Sequence, residues 1–236
     1  MIKTFENYNS EYLLVEKLEL QPLFDQLKKS VNKKIIATII VGSLLSILNP
    51  AQAINYIENN SDLSSKDKIE LVNVIPTYKY PKNLKLSQNG WDFIRDNEKF
   101  IEVARKLGDG MITVGYGHAE PIKTSKYKVG YKISRSEAHK LFLEDVNIAA
   151  HGVKRMFKEW EKIGIKIKIT QNQYDAIVDL AYNMGISNFR QTKFVQSLKK
   201  YDLQKAANLL RNTGLENDYP GLTVRRQNEF IKFITN

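Results

Sequence analysis

The sequence has no cysteine, and only three of its 236 residues are histidines. A chain without cysteine has no disulfide scaffold, no thiolate nucleophile, no iron–sulfur cluster and no cysteine-ligated zinc. With three histidines, at positions 118, 139 and 151, we also expect no histidine-rich metal site. The contents of 42 % apolar and 26 % charged residues are typical of a globular chain and exclude a disordered or collagen-like one.

No apolar run in the sequence is long enough to span a bilayer directly. Residues 35–48 form an apolar run of 14 residues, whereas a transmembrane helix needs about 20. Lys33 and Lys34 precede this run and Ala51-Gln52-Ala53 follows it, which is the pattern of a secretory signal cleaved after Ala53. An ordinary signal peptide, however, is not preceded by 32 residues with five acidic groups.

Three interpretations of the N-terminal segment therefore stay open. The run is a signal or weak anchor that associates transiently with a membrane through residues 35–48, or a helix that packs against another part of the protein. Alternatively, the first thirty residues are processed, because their opening resembles the leader peptides of some tailed-phage proteins, trimmed here after Leu14-Val15-Glu16. We expect residues 1–53 to be a leader and residues 54–83 to be a polar linker around one short helix.

The positive charge of the chain is confined to its C-terminal part. Residues 1–81 contain nine basic and nine acidic side chains, whereas residues 82–236 contain 27 and 17, which accounts for the whole net charge of +10. A basic domain attracts polyanions, which include nucleic acid, an anionic cell wall and a membrane surface. Charge alone does not choose among them.

Periodicity predicts an α+β domain over residues 84–236, with a small sheet lobe beside a larger helical lobe. Apolar residues at helical or alternating spacing predict helices at 87–106, 134–156, 170–185 and 223–235, and two more within 188–213 that are separated near Tyr201-Asp202. They also predict strands at 111–116 and 127–133 and an extended segment at 163–169. Ser134 with Glu137, and Thr170 with Gln173, have the spacing of capping boxes. Asp145 falls on the apolar stripe of the second helix, so it needs a partner that compensates its burial.

One carboxylate stands where it could act as a general acid. Glu98 precedes the glycine-rich turn Gly108-Asp109-Gly110 and a strand that begins near Thr113. Glycines let the backbone approach a ligand closely, and a glutamate that faces such a strand can have a raised pKa. On its own this pattern also fits a tight hairpin with a solvated glutamate.

The whole arrangement resembles the phage-type lysozymes, glycoside hydrolase family 24. Five motifs occur in the order of that family: Glu98, the segment Thr113-Val114-Gly115-Tyr116-Gly117-His118, the segment from Ile133 to Val146, the pair Thr170–Ala176 and Ala181–Gly185, and Gly221-Leu222 followed by Arg225-Arg226. Together they cover residues 84–235. The resemblance implies a lysozyme-like fold, with a small β-hairpin lobe and a larger helical lobe.

The resemblance also implies hydrolysis of the β-1,4 bond between N-acetylmuramic acid and N-acetylglucosamine in peptidoglycan. Glu98 would protonate the leaving oxygen, and Thr113 would hold the attacking water. Family members have an aspartate six residues before that threonine, where this chain has Leu107. The nearest carboxylate is Asp109, which is therefore either the second catalytic group or an ordinary turn former.

The remaining matched residues are expected at the substrate or beneath it. The resemblance places in or beside the cleft the side chains Tyr116, His118, Tyr182, Asn183, Arg225 and Arg226. His118 would pair with Asp145, in a structural role, and Arg225 or Arg226 would form an ion pair with Glu98. The family implies no cofactor.

The sequence thus predicts an endolysin-like muramidase, made in the cytoplasm of an infected bacterium and acting on the host wall. We expect a monomer that binds peptidoglycan and no nucleic acid, because no recognised nucleic-acid motif is present. The alternative is a wall-binding or virion-packaged structural protein that kept the lysozyme fold but lost activity, for which Leu107 is the supporting feature.

Overall fold

The structure is a computed structural model that describes residues 20–29, 33–45, 47–107, 110–215 and 220–235. The chain divides between Thr77 and Tyr78 into two units, each with apolar clusters of its own. The second unit combines helices with a three-stranded sheet, so the predicted α+β class is confirmed.

The first unit is helical. Its described helices are α1 (Gln21–Lys29), α2 (Lys33–Leu45), α3 (Pro50–Asn59) and α4 (Ser65–Val74). Asn49 begins α3 through a capping box with Gln52, and the Ser64 hydroxyl accepts a hydrogen bond from the first turn of α4. The core side chains of the unit include Phe24, Leu27, Ile40, Leu44, Ile57 and Leu71, all with 2 % exposure or less.

The apolar run 35–48 contributes to this core. Ile40 and Leu44 are fully buried, whereas Ile35 and Ile39 are 56 % and 47 % exposed. Among the described residues no single helix is long and apolar enough to cross a membrane, although Ile35–Leu45 and Pro50–Asn59 together meet that test as a pair bent by 119°. Of the first two interpretations of this segment, the arrangement fits a helix packed against its neighbours. The processing site of the third interpretation, Leu14-Val15-Glu16, lies outside the described residues.

The structure differs from the predicted linker at residues 54–83. Most of α3 and all of α4 lie there, and Ile57 and Leu71 are fully buried. The last residues of the range belong to the second unit, where Lys79 forms a two-way backbone bridge with Ile169. Polar composition alone suggested a linker, because each short helix buries only one or two residues of its own.

The second unit contains the sheet and the remaining helices. Its elements are α5 (Gln88–Asp96), β1 (Ile101–Lys106), β2 (Met111–Gly115), β3 (His118–Pro121), α6 (Arg135–Lys162), α7 (Gln171–Met184), α8 (Ile186–Gln191), α9 (Lys193–Lys199), α10 (Leu203–Leu210) and α11 (Pro220–Ile234). The strands are antiparallel in the order β1-β2-β3. The sheet packs on the N-terminal part of α6, while α7 lies against α6 and α11.

The predicted helix 87–106 is wrong in its second half. The helix ends at Asp96, and residues 101–106 form β1, which pairs Ile101 with Gly115 and Arg105 with Thr113. The apolar spacing of Ile101 and Ala104 fits a helix, and only pairing with β2 makes it a strand. The predicted strand 127–133 is reduced to a single bridge between Lys132 and Val103, and β3 takes its place in the sheet.

The helical lobe follows the prediction more closely. Thr170 and Gln173 form the expected capping box. Ser134 caps α6 from one side only, because the carboxylate of Glu137 accepts hydrogen bonds from the hydroxyls of Tyr127 and Tyr131 instead. Residues 188–213 are broken twice, before α9 and before α10. In α7 every residue from 173 to 181 is buried, so this helix is enclosed by the lobe.

Gly152 lets α8 approach α6. A Cβ atom at this position would lie 2.5 Å from Cγ1 and 2.8 Å from Cδ1 of Ile186. Real Cβ contacts are not that short, so the two helices pack at a distance that only glycine permits. Gly42, on the exposed face of α2, has nothing within 4 Å of an added Cβ atom.

We predict opposite effects for alanine at these two glycines. Gly152→Ala should lower the free energy of unfolding by about 1–3 kcal/mol, because overpacking outweighs the gain in helix propensity. Gly42→Ala should raise it by about 0.5–1 kcal/mol, the usual gain for alanine inside a helix. Thermal unfolding followed by circular dichroism measures both changes. Equal effects of the two substitutions would contradict the packing argument.

Candidate active site

Glu98 lies just beyond the C-terminal end of α5 rather than inside a helix. Its side chain is 16 % exposed, and its Oε1 atom accepts a hydrogen bond of 2.5 Å from Nη1 of Arg225. Arg225 stands on α11, 127 residues further along the chain. The expected ion pair of Glu98 is therefore formed by Arg225.

Arg225 is held by a second carboxylate on the central helix α7. Its Nη2 atom donates to Oδ1 of Asp179 at 2.6 Å, and its Nε atom donates to Oδ2 at 3.2 Å. Asp179 is completely buried and the arginine side chain is 5 % exposed. A bidentate pair of this kind fixes the guanidinium plane, so Arg225 presents Nη1 to Glu98 in one orientation.

The surroundings of Glu98 favour its protonated form. Burial raises the pKa of Glu98, and the negative charge of Asp179 raises it further, while the ion pair with Arg225 opposes both effects. The net effect is a pKa above the usual value of a glutamate. A raised pKa brings a carboxyl group closer to the range in which a general acid works.

Backbone and a tyrosine enclose the other side of the carboxyl group. Gly117 has a φ of +86°, and a Cβ atom there would lie 3.1 Å from Oε2 of Glu98. Glycine is therefore required by both the conformation and the close approach. The hydroxyl of Tyr182 donates a hydrogen bond of 2.5 Å to the carbonyl of Tyr116, and burial raises the pKa of Tyr182, which stays neutral.

Glu98 opens into a cleft of about 690 Å³ between the sheet and the helices. Thr113 from β2, and Tyr182 and Asn183 from the end of α7, also line it. Leu107, at the position of the missing aspartate, lines the same cleft and is 53 % exposed. In the described part of the chain the carboxylates along this cleft are Glu98 and Asp145. Asp109 lies outside the described residues.

Four of the expected substrate residues do not line the cleft. Tyr116 packs its ring against Phe100 and Phe142, at centroid distances of 5.3 and 5.7 Å. His118 and Arg225 stand behind the cleft wall, engaged with carboxylates. The described residues also include no group of three or more His, Asp or Glu side chains that could hold a metal ion.

The guanidinium of Arg226 contacts other groups of the protein and does not line the cleft. Arg226 is 1 % exposed, and its guanidinium donates to the carbonyl of Thr213 at 2.6 Å, to Oε1 of Glu229 at 2.7 Å and to Oδ1 of Asn183 at 2.6 Å. Protein groups thus accept hydrogen bonds from all three nitrogen atoms of its guanidinium, and a contact of Arg226 with substrate stays a prediction. Arg226 orients Asn183, which does line the cleft.

The structure contains the expected pair of His118 and Asp145. His118 Nδ1 lies 2.8 Å from Oδ2 of Asp145, and Nε2 lies 3.2 Å from Oε1 of Glu120. The hydrogen bond to Asp145 raises the pKa of His118, with smaller contributions from Glu120, against the lowering effect of burial. The pair ties β3 to α6.

A family model described as phage lysozyme matches residues 96–229, from the residue that ends α5 to Glu229 on α11. This segment contains Glu98, the whole sheet and the arginines of α11. The chain belongs to the phage lysozyme family.

Individual endolysins are also similar to this chain. The endolysin of Bacillus phage B103 is 32 % identical over 156 residues, which cover 64 % of this chain and 55 % of that protein. The endolysin of Acyrthosiphon pisum secondary endosymbiont phage 1 is 28 % identical over 156 residues, which cover 98 % of it. The chain thus spans about half the length of the first of these relatives and nearly all of the second.

The fold of a solved phage lysozyme structure is also similar. The endolysin from Escherichia coli O157:H7 phage FAHEc1 superposes with a TM-score of 0.51 at 26 % identity, covering 64 % of this chain and 94 % of that one. The lysozyme-like fold expected from the motifs is therefore confirmed. The first unit, residues 20–77, lies outside the family match.

Sequence analysis missed two residues that support this site. Asp179 and Glu229 are both fully buried, and both contact Arg225, at 2.6 and 3.5 Å. A signal was present in each helix, because Asp179 stands among apolar residues of α7 and Glu229 follows Arg225 at a spacing of four. Neither pattern predicts that Arg225 of α11 contacts Asp179 of α7.

We predict a pH-dependent contribution of His118 to the stability of the phage lysozyme domain. The pKa of His118 is raised in the folded state, above the value of about 6.5 expected for the unfolded chain. Its stabilising contribution is therefore fully present below about pH 6.5 and is lost as the pH rises through the folded-state pKa. His118→Gln should destabilise the protein more at about pH 5 than at about pH 9.

Thermal unfolding of both proteins across this pH range measures the difference. Asp145→Asn removes the first partner of His118 and should weaken the same pH dependence. A difference between wild type and His118→Gln that does not change with pH would contradict the linkage.

Proposed function

We propose that this chain is a muramidase that cleaves the β-1,4 bond between N-acetylmuramic acid and N-acetylglucosamine in peptidoglycan. The observation that carries the proposal is a mostly buried glutamate at the floor of a glycan-sized cleft, with a raised pKa and a fixed arginine beside it. Relatives of this chain are named endolysins, which supports the same reaction class.

Glu98 serves as the general acid in this proposal. Its proton goes to the glycosidic oxygen, which leaves as a hydroxyl group while the bond to the anomeric carbon breaks. Glu98 becomes a carboxylate in that step, and the guanidinium of Arg225 at 2.5 Å stabilises the new negative charge. The attacking water keeps one proton in the new hydroxyl group on the anomeric carbon and loses the other through the second carboxylate to solvent, and solvent then returns a proton to Glu98.

Thr113 and Asp109 complete the proposed mechanism on the opposite side of the cleft. Thr113 lines the cleft from the central strand and holds the attacking water. Leu107 can accept no proton, so we assign the second carboxylate to Asp109, two residues further along the sequence. This carboxylate would remove a proton from the water or stabilise the positive charge on the sugar ring.

We propose the bacterial cell wall as the place of action, and a monomer as the active form. The net charge of +10 lies in the part of the chain that contains the cleft, which favours association with an anionic wall. The alternative of an inactive wall-binding or structural protein is less consistent with the site, because Glu98, Arg225 and Asp179 retain a complete set of contacts.

Glu98→Gln should abolish most of the activity. The substitution keeps the size of the side chain but removes the transferable proton, so hydrolysis of purified peptidoglycan should fall by about 10²- to 10⁴-fold. Mass spectrometry of the released fragments also identifies the bond, because a muramidase leaves muramic acid at the reducing end.

Glu102→Gln is the matched control, since Glu102 is exposed on β1 and does not line the cleft. It should keep near wild-type activity. A folded Glu98→Gln protein with unchanged activity would remove Glu98 from the mechanism, and fragments with another reducing end would exclude muramidase action.

The role of Asp109 is tested by removing its carboxylate and placing one at position 107 instead. If Asp109 is catalytic, Asp109→Asn should lose activity by about 10²-fold or more with little change in melting temperature. Adding Leu107→Asp to that variant should restore part of the activity, because position 107 lines the cleft and is exposed enough to accept a carboxylate.

Thr113→Ala separates the water-holding role from that of the carboxylate. An active Asp109→Asn protein together with an inactive Thr113→Ala protein would show that Glu98 and Thr113 suffice. Asp109 would then be a turn former.

A further inference from the structure

A second concave site lies on the helical lobe, apart from the cleft. It has a volume of about 280 Å³, and eight residues line it: Lys85, Leu86, Trp91, Asn147, Ala150, His151, Lys154 and Tyr174. None of these residues lines the cleft. We call this site the Trp91 pocket.

Helix α6 separates the two sites because it contributes a different face to each. Asp145, Ile148 and Ala149 line the cleft, whereas Asn147, Ala150, His151 and Lys154 line the Trp91 pocket. The spacing of the second set, three or four residues apart, is that of one helix face. A ligand in the pocket therefore occupies a different side of α6 from a substrate in the cleft.

The pocket combines an indole with positive charge. Trp91 is half-buried and meets the ring of Phe142 edge to face at 6.0 Å, which fixes its plane. Lys85 and Lys154 stand beside it, and no carboxylate lines the pocket. Neither lysine has an ion-pair partner within the described ranges. The ligand that this arrangement fits is a flat or ring-shaped group with negative charge.

Uncharged polar groups in the pocket add capacity for hydroxyl and amide groups. The Nδ1 atom of His151 donates a hydrogen bond of 2.7 Å to the carbonyl of Asn147, so Nε2 is the ring nitrogen that this contact leaves for a ligand. Asn147, which is exposed, adds a side-chain amide to the lining. Indole, amide, imidazole and ammonium groups together match an acidic N-acetylated sugar.

We propose that the Trp91 pocket is a secondary binding site for a carboxylate-bearing glycan segment of peptidoglycan. A sugar ring stacks on Trp91, and its carboxylate pairs with Lys85 and Lys154. The identity of the polymer rests on the proposed function, but the binding does not depend on hydrolysis. The site would hold the enzyme on insoluble wall while the cleft works on another segment, which lowers KM for the polymer.

The test measures binding of the full chain to insoluble peptidoglycan stripped of teichoic acid, in the Glu98→Gln background so that the wall stays intact. Lys85→Glu combined with Lys154→Glu should weaken sedimentation with the wall by about tenfold, because it reverses the charge of the pocket. Lys199→Glu with Lys205→Glu makes the same change of net charge at exposed positions outside both sites, and should have less than about a twofold effect.

A steric variant tests the pocket without changing charge. Asn147→Trp places a large ring at its exposed rim and should weaken binding as well. Equal binding by the two charge-reversed proteins, or full binding by Asn147→Trp with its melting temperature unchanged, would overturn the proposal. Binding that appears only when teichoic acid is left on the wall would also overturn it, since the ligand would then be a phosphate polymer.

Activity measurements keep this inference distinct from the proposed function. With Glu98 intact, the Lys85→Glu and Lys154→Glu protein should hydrolyse a short soluble glycan at the wild-type kcat but show a raised KM on insoluble wall. An equal loss on both substrates would point to damage of the cleft and overturn the proposal. If the wild-type protein cleaves neither substrate while the binding difference persists, the muramidase assignment fails and the pocket stands.

Discussion

The site depends on one buried guanidinium. Arg225 joins three parts of the second unit that are far apart in sequence: the loop after α5 through Glu98, the central helix α7 through Asp179, and its own helix α11 through Glu229. Breaking a buried ion pair by removing one partner costs about 3–5 kcal/mol, because the remaining charge stays buried without compensation. The contact that positions Glu98 therefore also stabilises the lobe.

The charges around Arg225 also favour binding of a proton by one of the neighbouring carboxyl groups. Two arginines, Arg225 and Arg226, face three carboxyl groups, those of Glu98, Asp179 and Glu229. With all three ionised the buried cluster would have an excess negative charge, so one carboxyl group is favoured to bind a proton. Burial and the charge of Asp179 raise the pKa of both Glu98 and Glu229. The charge of Asp179 therefore opposes the lowering effect of Arg225 on the pKa of Glu98.

How far sequence alone could lead differs between local and tertiary features. The enclosed helix α7 was predicted with its capping box because periodicity and capping are local. Strand β1 was not, since Ile101 and Ala104 are compatible with a helix until β2 pairs with them. The motifs indicated Glu98 and Thr113, but the role of Asp179 needs contact between two helices. The motif likewise suggested a substrate contact for Arg226, and its burial is a tertiary feature that the sequence did not indicate.

For the apolar run 35–48, too, the sequence alone does not show which partner its apolar face contacts. A signal peptide and a buried core helix can have the same apolar composition. They differ in whether lipid or protein contacts the apolar side chains. Helix α2 begins with Lys33, whose ammonium group lies 2.8 Å from the buried carboxylate of Asp67 on α4. Hydrogen bonds from Lys33 and Ser64 lower the pKa of Asp67, which keeps it ionised in spite of its burial. In the structure, the partner of the apolar face is the core of the first unit, and the ion pair between α2 and α4 fixes α2 in this packed position.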